Sequence, residues 1–425
     1  MVHLAIIGAG IGGCSAAYFA HKYLPDSKIT LYDAKDGIGG RILTNKEGHL
    51  NRELGAAFFN ATNMTIYGLV KERRLRLRKI EEYRELAVWN GSEIAFKSSP
   101  HAILTVLRLF SRYKWSVPKM LLVLREAKRK ISNLYKAEKA NPTELESLFE
   151  FVGLDNWYKT SFDESLTIMG VDRDFIDEII TPITRIIYSQ NADLGGFAGL
   201  SSVIGVYGAS IYSLTEGNSV LPRSLAEASG SELELGRKVK SIEKTPHGSY
   251  RVSVGKTASI FDGVIVAIPL EMAGIDFEGI LMREWEPQQY QRVYLRVMRG
   301  FVDLSYFGLD ESKKVPPMIL TTAEADPITH FALQKSTSGE SLLSIASTEP
   351  LGNDVLGEIF ESGETVLEHD WTAAYPLFKP VERLPPTRLD ERLMYLNAIE
   401  SAASSLESSA FAALNAVKMM RGDLR

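Results

Sequence analysis

The chain is short of the features that mark several whole classes of protein. It has one cysteine in 425 residues, Cys14, so no intrachain disulfide can form. Beside the first glycine turn, Cys14 reads as a small residue buried against a sheet. Seven histidines (His3, His21, His49, His101, His247, His330, His369) are scattered. None falls in an H-E-x-x-H or paired-ligand spacing, so no metal site is expected. No apolar run reaches membrane-spanning length. The formal net charge is −5, so nothing global points to nucleic acid. Internal repeats and low-complexity linkers are absent. A strand pattern begins almost at Met1 and leaves no room for a secretory signal ahead of it. The expectation is a cytoplasmic protein, or a chain whose N-terminus is incomplete. What remains is ordinary globular composition, 45% hydrophobic and 24% charged, enough for a large core in two or three domains.

The first forty residues carry the strongest pattern. His3-Leu4-Ala5-Ile6-Ile7 reads as a buried strand, Gly8-Ala9-Gly10-Ile11-Gly12-Gly13 as a glycine turn opening a helix, and Lys28–Tyr32 as a second strand ending at Asp33. Strand, helix, strand and acid fall in the order of the dinucleotide-binding fingerprint. Gly8 permits the sharp turn, Gly10 lets backbone approach a pyrophosphate, and Gly13 lets the helix lie close to the sheet. The helix N-terminus offers free N–H groups to phosphates, and Asp33 is placed to accept hydrogen bonds from a ribose. Gly39-Gly40-Arg41 follows at once. A nicotinamide-binding domain has no special need of it, whereas in two-domain flavoproteins such a segment runs along the cofactor, with the arginine near the phosphates. This shifts the reading from NAD to FAD, the alternative for Arg41 being a surface arginine. Glu53–Ala57 reads as backbone passing close to a ligand.

Residues 61–200 read mostly helical, with a hairpin over Leu86–Phe96 turning at Asn90-Gly91. From Ile103 to Ala140 a Leu-rich helical pattern, interrupted at Pro118, carries ten Lys/Arg against Glu126 and Glu138. It reads either as an amphipathic core helix with a solvated basic face or as a peripheral membrane contact near a substrate entrance. The small-residue stretch Gly195–Ser213 is too polar and broken to span a membrane. Strands return after residue 214, ending in the buried run Phe261–Pro269. Residues 271–370 alternate as a second sheet, and a small-residue helix runs from about Ser405 through Ala416. The fold class expected is α/β: a Rossmann-like FAD-binding domain assembled from 1–60, 214–270 and 371–425, interleaved with a substrate domain from 61–213 and 271–370.

Three stretches go beyond the general pattern: Phe162-Asp163-Glu164 through Arg185–Gln190, Trp371–Pro376 with Lys379-Pro380, and Tyr395–Ala403 followed by Glu407, Ser408 and Ala410. On these the chain resembles, over nearly its whole length, the prenylcysteine oxidase family of flavoprotein thioether oxidases, kin to the amine-oxidase-type FAD enzymes. The resemblance implies non-covalent FAD and cleavage of farnesyl- or geranylgeranyl-cysteine in the breakdown of prenylated proteins. The products would be cysteine, a prenyl aldehyde and, with molecular oxygen as acceptor, hydrogen peroxide. It also implies a lysosomal location reached through a secretory signal that this sequence does not display. Where the family has Gly-Gly-Asn, this chain has Glu216-Gly217-Asn218, a carboxylate expected to alter the local flavin contact.

Cofactor contacts are expected from Gly8, Gly10, Gly12, Gly13, Asp33, Gly40, Arg41, Val239 (beside adenine) and Glu400, whose other reading is a helix-cap carboxylate. Tyr375 is expected over the flavin, as an aromatic is in amine oxidases. Tyr188 and Arg185 are expected on the substrate side, the arginine for a carboxylate, with structural packing as the alternative for each. The group that activates water has no candidate. Two other functions stay open: a flavin amine oxidase acting on polyamines or aromatic amines, and a non-catalytic flavoprotein binding module.

Overall fold

The segment Val2–Ile7 has no polar residue after His3, and its last four side chains are buried, so it forms an internal strand of a covered parallel sheet. The computed structural model describes residues 1–47, 50–81, 85–206, 210–310, 314–335 and 340–424. Val2–Ile7 pairs in parallel with Ser27–Tyr32 on one side and Gly263–Val266 on the other. Glu232–Glu234 extends the sheet beyond the first neighbour and Leu393–Tyr395 beyond the second, while Arg388–Asp390 closes the edge antiparallel. This six-stranded sheet is thus drawn from both ends and the middle of the chain. The helix Ile11–Tyr23 covers it and lies against Val220–Ser229 and the last helix, Leu406–Asp423. Cys14 is buried in that layer, its thiol donating to the Ala9 carbonyl (3.4 Å) and pushed up in pKa by burial. A four-stranded sheet sits beside the first sheet, an antiparallel meander of Val239–Lys244, Tyr250–Val254 and Thr257–Phe261 with Asp276–Glu278 added in parallel.

The second sheet has seven strands, in the order Phe360–Pro376, Tyr290–Val302, Ser341–Ser347, Ile328–Lys335, Met318–Thr321, Leu86–Trp89, Ile94–Lys97. The Leu86–Lys97 hairpin turns at Asn90, whose side chain accepts the Ser92 and Glu93 N–H groups, with Gly91 at φ +94°. The alternation of these strands gives the sheet two faces. Phe331, Leu343 and Ile345 pack with Trp89 and Phe307 in a core on one side. His330, Ala332, Ser344 and Ala346 point to a cavity on the other.

One expected boundary is wrong. The C-terminal return to the cofactor sheet does not start at 371, because Phe360–Pro376 is one continuous strand paired with Tyr290–Val302 from Val302↔Phe360 to Tyr290↔Pro376. The period-2 pattern simply continues through Trp371–Tyr375, and the chain rejoins the first sheet only at Arg388.

The helical insertion covers the cavity from the other side. Its basic stretch is two helices, Ala102–Tyr113 and Ser116–Ala140. The break is at Lys114, where φ is +46°, while Pro118 is accommodated in the first turn of the second helix, where no intrahelical donor is lost. In the small-residue stretch, Gly196–Val206 is a helix packed so closely that a Cβ on Gly199 would lie 2.2 Å from the Phe162 ring. Residues 207–209 of that stretch lie outside the described residues. Among the described residues no helix is long and apolar enough to cross a membrane, and no group of His, Cys, Asp or Glu is arranged to hold a metal ion.

Candidate active site

A cavity of about 1240 Å³ lies between the two sheets, larger than the roughly 300–1,000 Å³ of ordinary small-ligand pockets. One end is built of backbone. Gly8 leaves the first strand at φ +109°, and a Cβ there would meet Ile268 at 2.5 Å. A Cβ on Gly13 would lie 1.8 Å from the Gly8 carbonyl oxygen, so Gly13 sets the closeness of helix to turn and does not itself line the cavity. The second glycine segment crosses the first: the Gly39 N–H donates to the Ala9 carbonyl (2.9 Å), and a Cβ on Gly40, at φ +61°, would come within 3.0 Å of the Gly10 Cα. The Asp33 carboxylate accepts the Ala9 and Lys35 N–H groups (2.7 and 2.8 Å) at the end of the second strand. Gly8, Gly10, Gly12, Asp33, Gly40, Arg41, Val239 and Glu400 all border this end. A cradle of crossed glycines that any side chain would fill, beside a helix N-terminus, fits the diphosphate of a dinucleotide.

Arg41 and Glu400, expected as separate contacts, are one ion pair: Nη1 to Oε1 is 2.7 Å. The Tyr290 hydroxyl donates to Glu400 Oε2 (2.8 Å), and the Arg41 guanidinium lies 5.2 Å from the Tyr290 ring centre. Burial works to lower the Arg41 pKa, but the Glu400 carboxylate outweighs it and holds it above the usual arginine range. Glu400 lies within a short 3-10 helix, Leu396–Ser401, and accepts from side chains, so it is not a cap. The Glu53–Ala57 segment does run along the cavity. A Cβ on Gly55 would clash with the Arg41 carbonyl at 2.1 Å, and the Trp371 indole N–H donates to the Leu54 carbonyl (2.6 Å).

The other end is built of side chains. Tyr188 and Tyr375 meet edge to face, ring centres 5.4 Å apart. Gln190 brings their segments together, its amide N–H donating to the Pro376 carbonyl (2.9 Å) and its carbonyl accepting the Phe378 N–H (2.9 Å). Burial raises both phenol pKa values above their ordinary range. Ile131, Leu134, Phe149 and Phe197 from the helices face Met318, His330 and Ala346 from the second sheet.

Two expectations fail here. Arg185 does not border the cavity. Its guanidinium donates to Thr321 Oγ1 (3.1 Å), Asn191 Oδ1 (2.8 Å) and the Ile328 carbonyl (2.8 Å), and pairs with Asp326 (2.7 Å). These partners use up its fork in tying a helix to the second sheet, leaving nothing for a substrate carboxylate. Glu216 is also away from the cavity, paired with Arg76. The loop needs its neighbours instead: a Cβ on Gly217 would meet Thr44 at 2.3 Å, and Asn218 donates to the Ala56 and Ala57 carbonyls. Glu216 therefore stands outside the cavity wall and does not alter it.

Two cavity residues were not singled out from the sequence as site residues. His330 is half-buried on the cavity wall, with its pKa lowered to about 4 by desolvation and then by the Arg185 charge. The alternation of Ile328–Lys335 could have placed it on one face with Ala332. Glu407, in the first turn of the last helix, accepts the Thr65 and Ile66 N–H groups (2.8 and 2.9 Å) and the Tyr135 hydroxyl (2.7 Å). It joins three helices at the cavity edge, and burial raises its pKa.

Comparison with known proteins agrees with this geometry. A family profile described as prenylcysteine lyase matches residues 96–425, and one for an NAD(P)-binding Rossmann-like domain matches residues 6–72. The chain is 27% identical to farnesylcysteine lyase of Arabidopsis thaliana, over 98% of this chain and 87% of that one. It is 30% identical to prenylcysteine oxidase 1 of Pongo abelii, over 97% and 87%, and 29% identical to the Homo sapiens protein of that name, over 97% and 87%. Among solved structures it is similar to cyclohexylamine oxidase from Brevibacterium oxydans, with a TM-score of 0.66 at 15% identity over 100% of this chain and 99% of that one. It is similar also to a putrescine oxidase, with a TM-score of 0.65 at 14% identity over 98% of each. These two solved structures share the mixed α/β architecture of this chain, a likeness of fold. With the family profile covering most of its length and the Rossmann-like profile covering the glycine cradle, the chain belongs to the prenylcysteine lyase family.

Proposed function

We propose that this protein is an FAD-dependent oxidase that cleaves the thioether of prenylcysteines. The observation that carries the reading is that one cavity contains both the glycine cradle and an apolar chamber walled by Tyr188, Tyr375, Phe149, Phe197 and Met318, in a chain of the prenylcysteine lyase family. The overall reaction consumes prenylcysteine, oxygen and water and yields cysteine, prenyl aldehyde and hydrogen peroxide. The carbon–sulfur bond breaks, a carbon–oxygen double bond forms at the isoprenyl carbon, and two electrons pass from that carbon to oxygen. FAD, when bound, supplies the two-electron acceptor and its reoxidation by molecular oxygen.

The crossed glycines would hold the diphosphate, Asp33 a ribose and Val239 the adenine. The chain's own contribution at the reacting end is positioning and dryness. Tyr188 and Tyr375 stay neutral because burial raises their pKa values, so they wall the site without acting as bases. His330 stays uncharged at neutral pH because burial lowers its pKa, which keeps the sheet face free of charge. An apolar wall of this kind suits an isoprenoid chain, and loss of hydride from a carbon beside sulfur needs no strong base there.

Anaerobic mixing of the flavin-loaded protein with farnesylcysteine, and separately with spermine, tests the reading. Bleaching of the flavin absorbance by farnesylcysteine alone is expected. Bleaching by the amine alone would overturn it in favour of an amine oxidase, and bleaching by neither would leave a flavoprotein binding module.

A further inference from the structure

The basic helices carry a surface that the cavity does not use. In Ala102–Tyr113, Ile103, Leu107 and Phe110 repeat at helical spacing and are exposed, Ile103 at 76%. After the turn at Lys114, Trp115 and Leu122 lie seven residues apart, on one face of the next helix, at 70% and 66%. Ile168, 75% exposed, joins this area, because Lys119, midway between Trp115 and Leu122, donates to the Gly170 carbonyl. Ten of the seventeen exposed large hydrophobic residues among the described residues fall between 103 and 169. That concentration sets the region apart from the scattered exposed apolar residues of any soluble surface.

Charge indicates what covers it. The helical stretch has ten Lys/Arg against two Glu in a chain of net charge −5. Glu138 is buried against Lys418 and contributes no exposed negative charge, and Lys114, Arg125 and Arg129 stand exposed. A tryptophan and long aliphatic side chains flanked by the exposed Lys114 and Arg125 match the interface of an anionic lipid bilayer. The same helix then continues into the cavity wall at Ile131, Leu134 and Tyr135, about 13 Å along its axis from Leu122.

We infer that residues 103–125 form a peripheral docking surface for anionic membranes, which sets the helix-lined side of the cavity toward the lipid. This surface rests on exposure and charge, independently of the thioether reaction. A ligand with a long apolar tail would partition into the same lipid, which shortens its route to the chamber.

Vesicle flotation of the full chain tests the inference, using phosphatidylcholine alone and phosphatidylcholine mixed with phosphatidylserine. The protein is expected to float with the mixed vesicles and not with phosphatidylcholine alone. Leu107→Asp with Phe110→Asp should weaken binding at least about tenfold. Arg125→Glu, a surface change that leaves the apolar stripe intact, should weaken it about fivefold, and added salt should do the same. Unchanged thermal melting would show that both variants fold. Absence of flotation with the mixed vesicles overturns the inference. So does equal binding to both vesicle types that Arg125→Glu leaves unchanged. A concentration-dependent dimer in light scattering, abolished by the Leu107→Asp, Phe110→Asp pair in protein that ignores vesicles, would assign the patch to a second copy instead.

Discussion

The two ends of the cavity are built on different principles. The cradle end is made of backbone: Gly10 and Gly39 are bridged, a Cβ on Gly40 would come within 3.0 Å of the Gly10 Cα, and Gly8 and Gly39 are themselves closed to a Cβ by Ile268 and the Ile42 carbonyl. The Tyr188–Tyr375 end is made of side chains from elements far apart in sequence, joined by Gln190 and by the pairing of Phe360–Pro376 with Tyr290–Val302. Backbone close approach tolerates only glycine and so writes itself into the sequence. A side-chain wall tolerates many residues and leaves a fainter trace.

Substitutions can break this contrast. The largest effect is expected from Gly13→Ala, whose Cβ would lie 1.8 Å from a backbone oxygen that cannot move without the strand. It should cost about 3 kcal/mol or more and strip the purified protein of flavin. Gly37→Ala, with nothing within 4 Å of its Cβ, should change stability by less than about 0.5 kcal/mol. Equal losses from the two would mean the cradle is not packed as described.

Arg185→Lys comes next. Loss of the buried fork to Thr321, Asn191 and the Ile328 carbonyl should lower stability by about 1–3 kcal/mol and leave KM for prenylcysteine unchanged. A raised KM at unchanged Tm would return Arg185 to the substrate.

His330 gives a pH-dependent contrast. Its folded pKa of about 4 lies below the unfolded value of 6.5, so the unfolded chain binds more protons between the two. Its contribution is therefore fully present above pH 6.5 and is lost as pH falls through that window, on the order of 2–3 kcal/mol at the acid end. Tm measured against pH should fall less steeply toward acid in His330→Gln than in the unaltered chain. The smallest effect belongs to Glu216→Gln. It removes a surface pair with Arg76, should alter stability by less than about 0.5 kcal/mol, and should leave the flavin spectrum unshifted.

Legibility in the sequence follows the same divide. The first strand, glycine turn, helix and Asp33 could be read directly, because period and glycine spacing are local. Tyr188 and Tyr375 could be read only through motifs, since nothing local says that 188 and 375 meet. Arg185 was misread because sequence shows a guanidinium and not the carbonyls that consume it. His330 was missed because its strand was read as a strand without asking which face shared a wall with Ala332. The boundary at 371 failed because a single strand spans both regions, beginning at the edge of the second sheet and ending at the cavity.

The central claim is that one cavity holds the flavin at the glycine end and the prenyl thioether at the tyrosine end. Single-turnover product analysis on protein of known flavin content tests it most directly. One cysteine thiol and one prenyl aldehyde are expected to be released for each bound flavin, with release lost when Gly13→Ala removes the flavin. Thiol release from flavin-free protein, or flavin bleaching by farnesylcysteine with no thiol released, would contradict it.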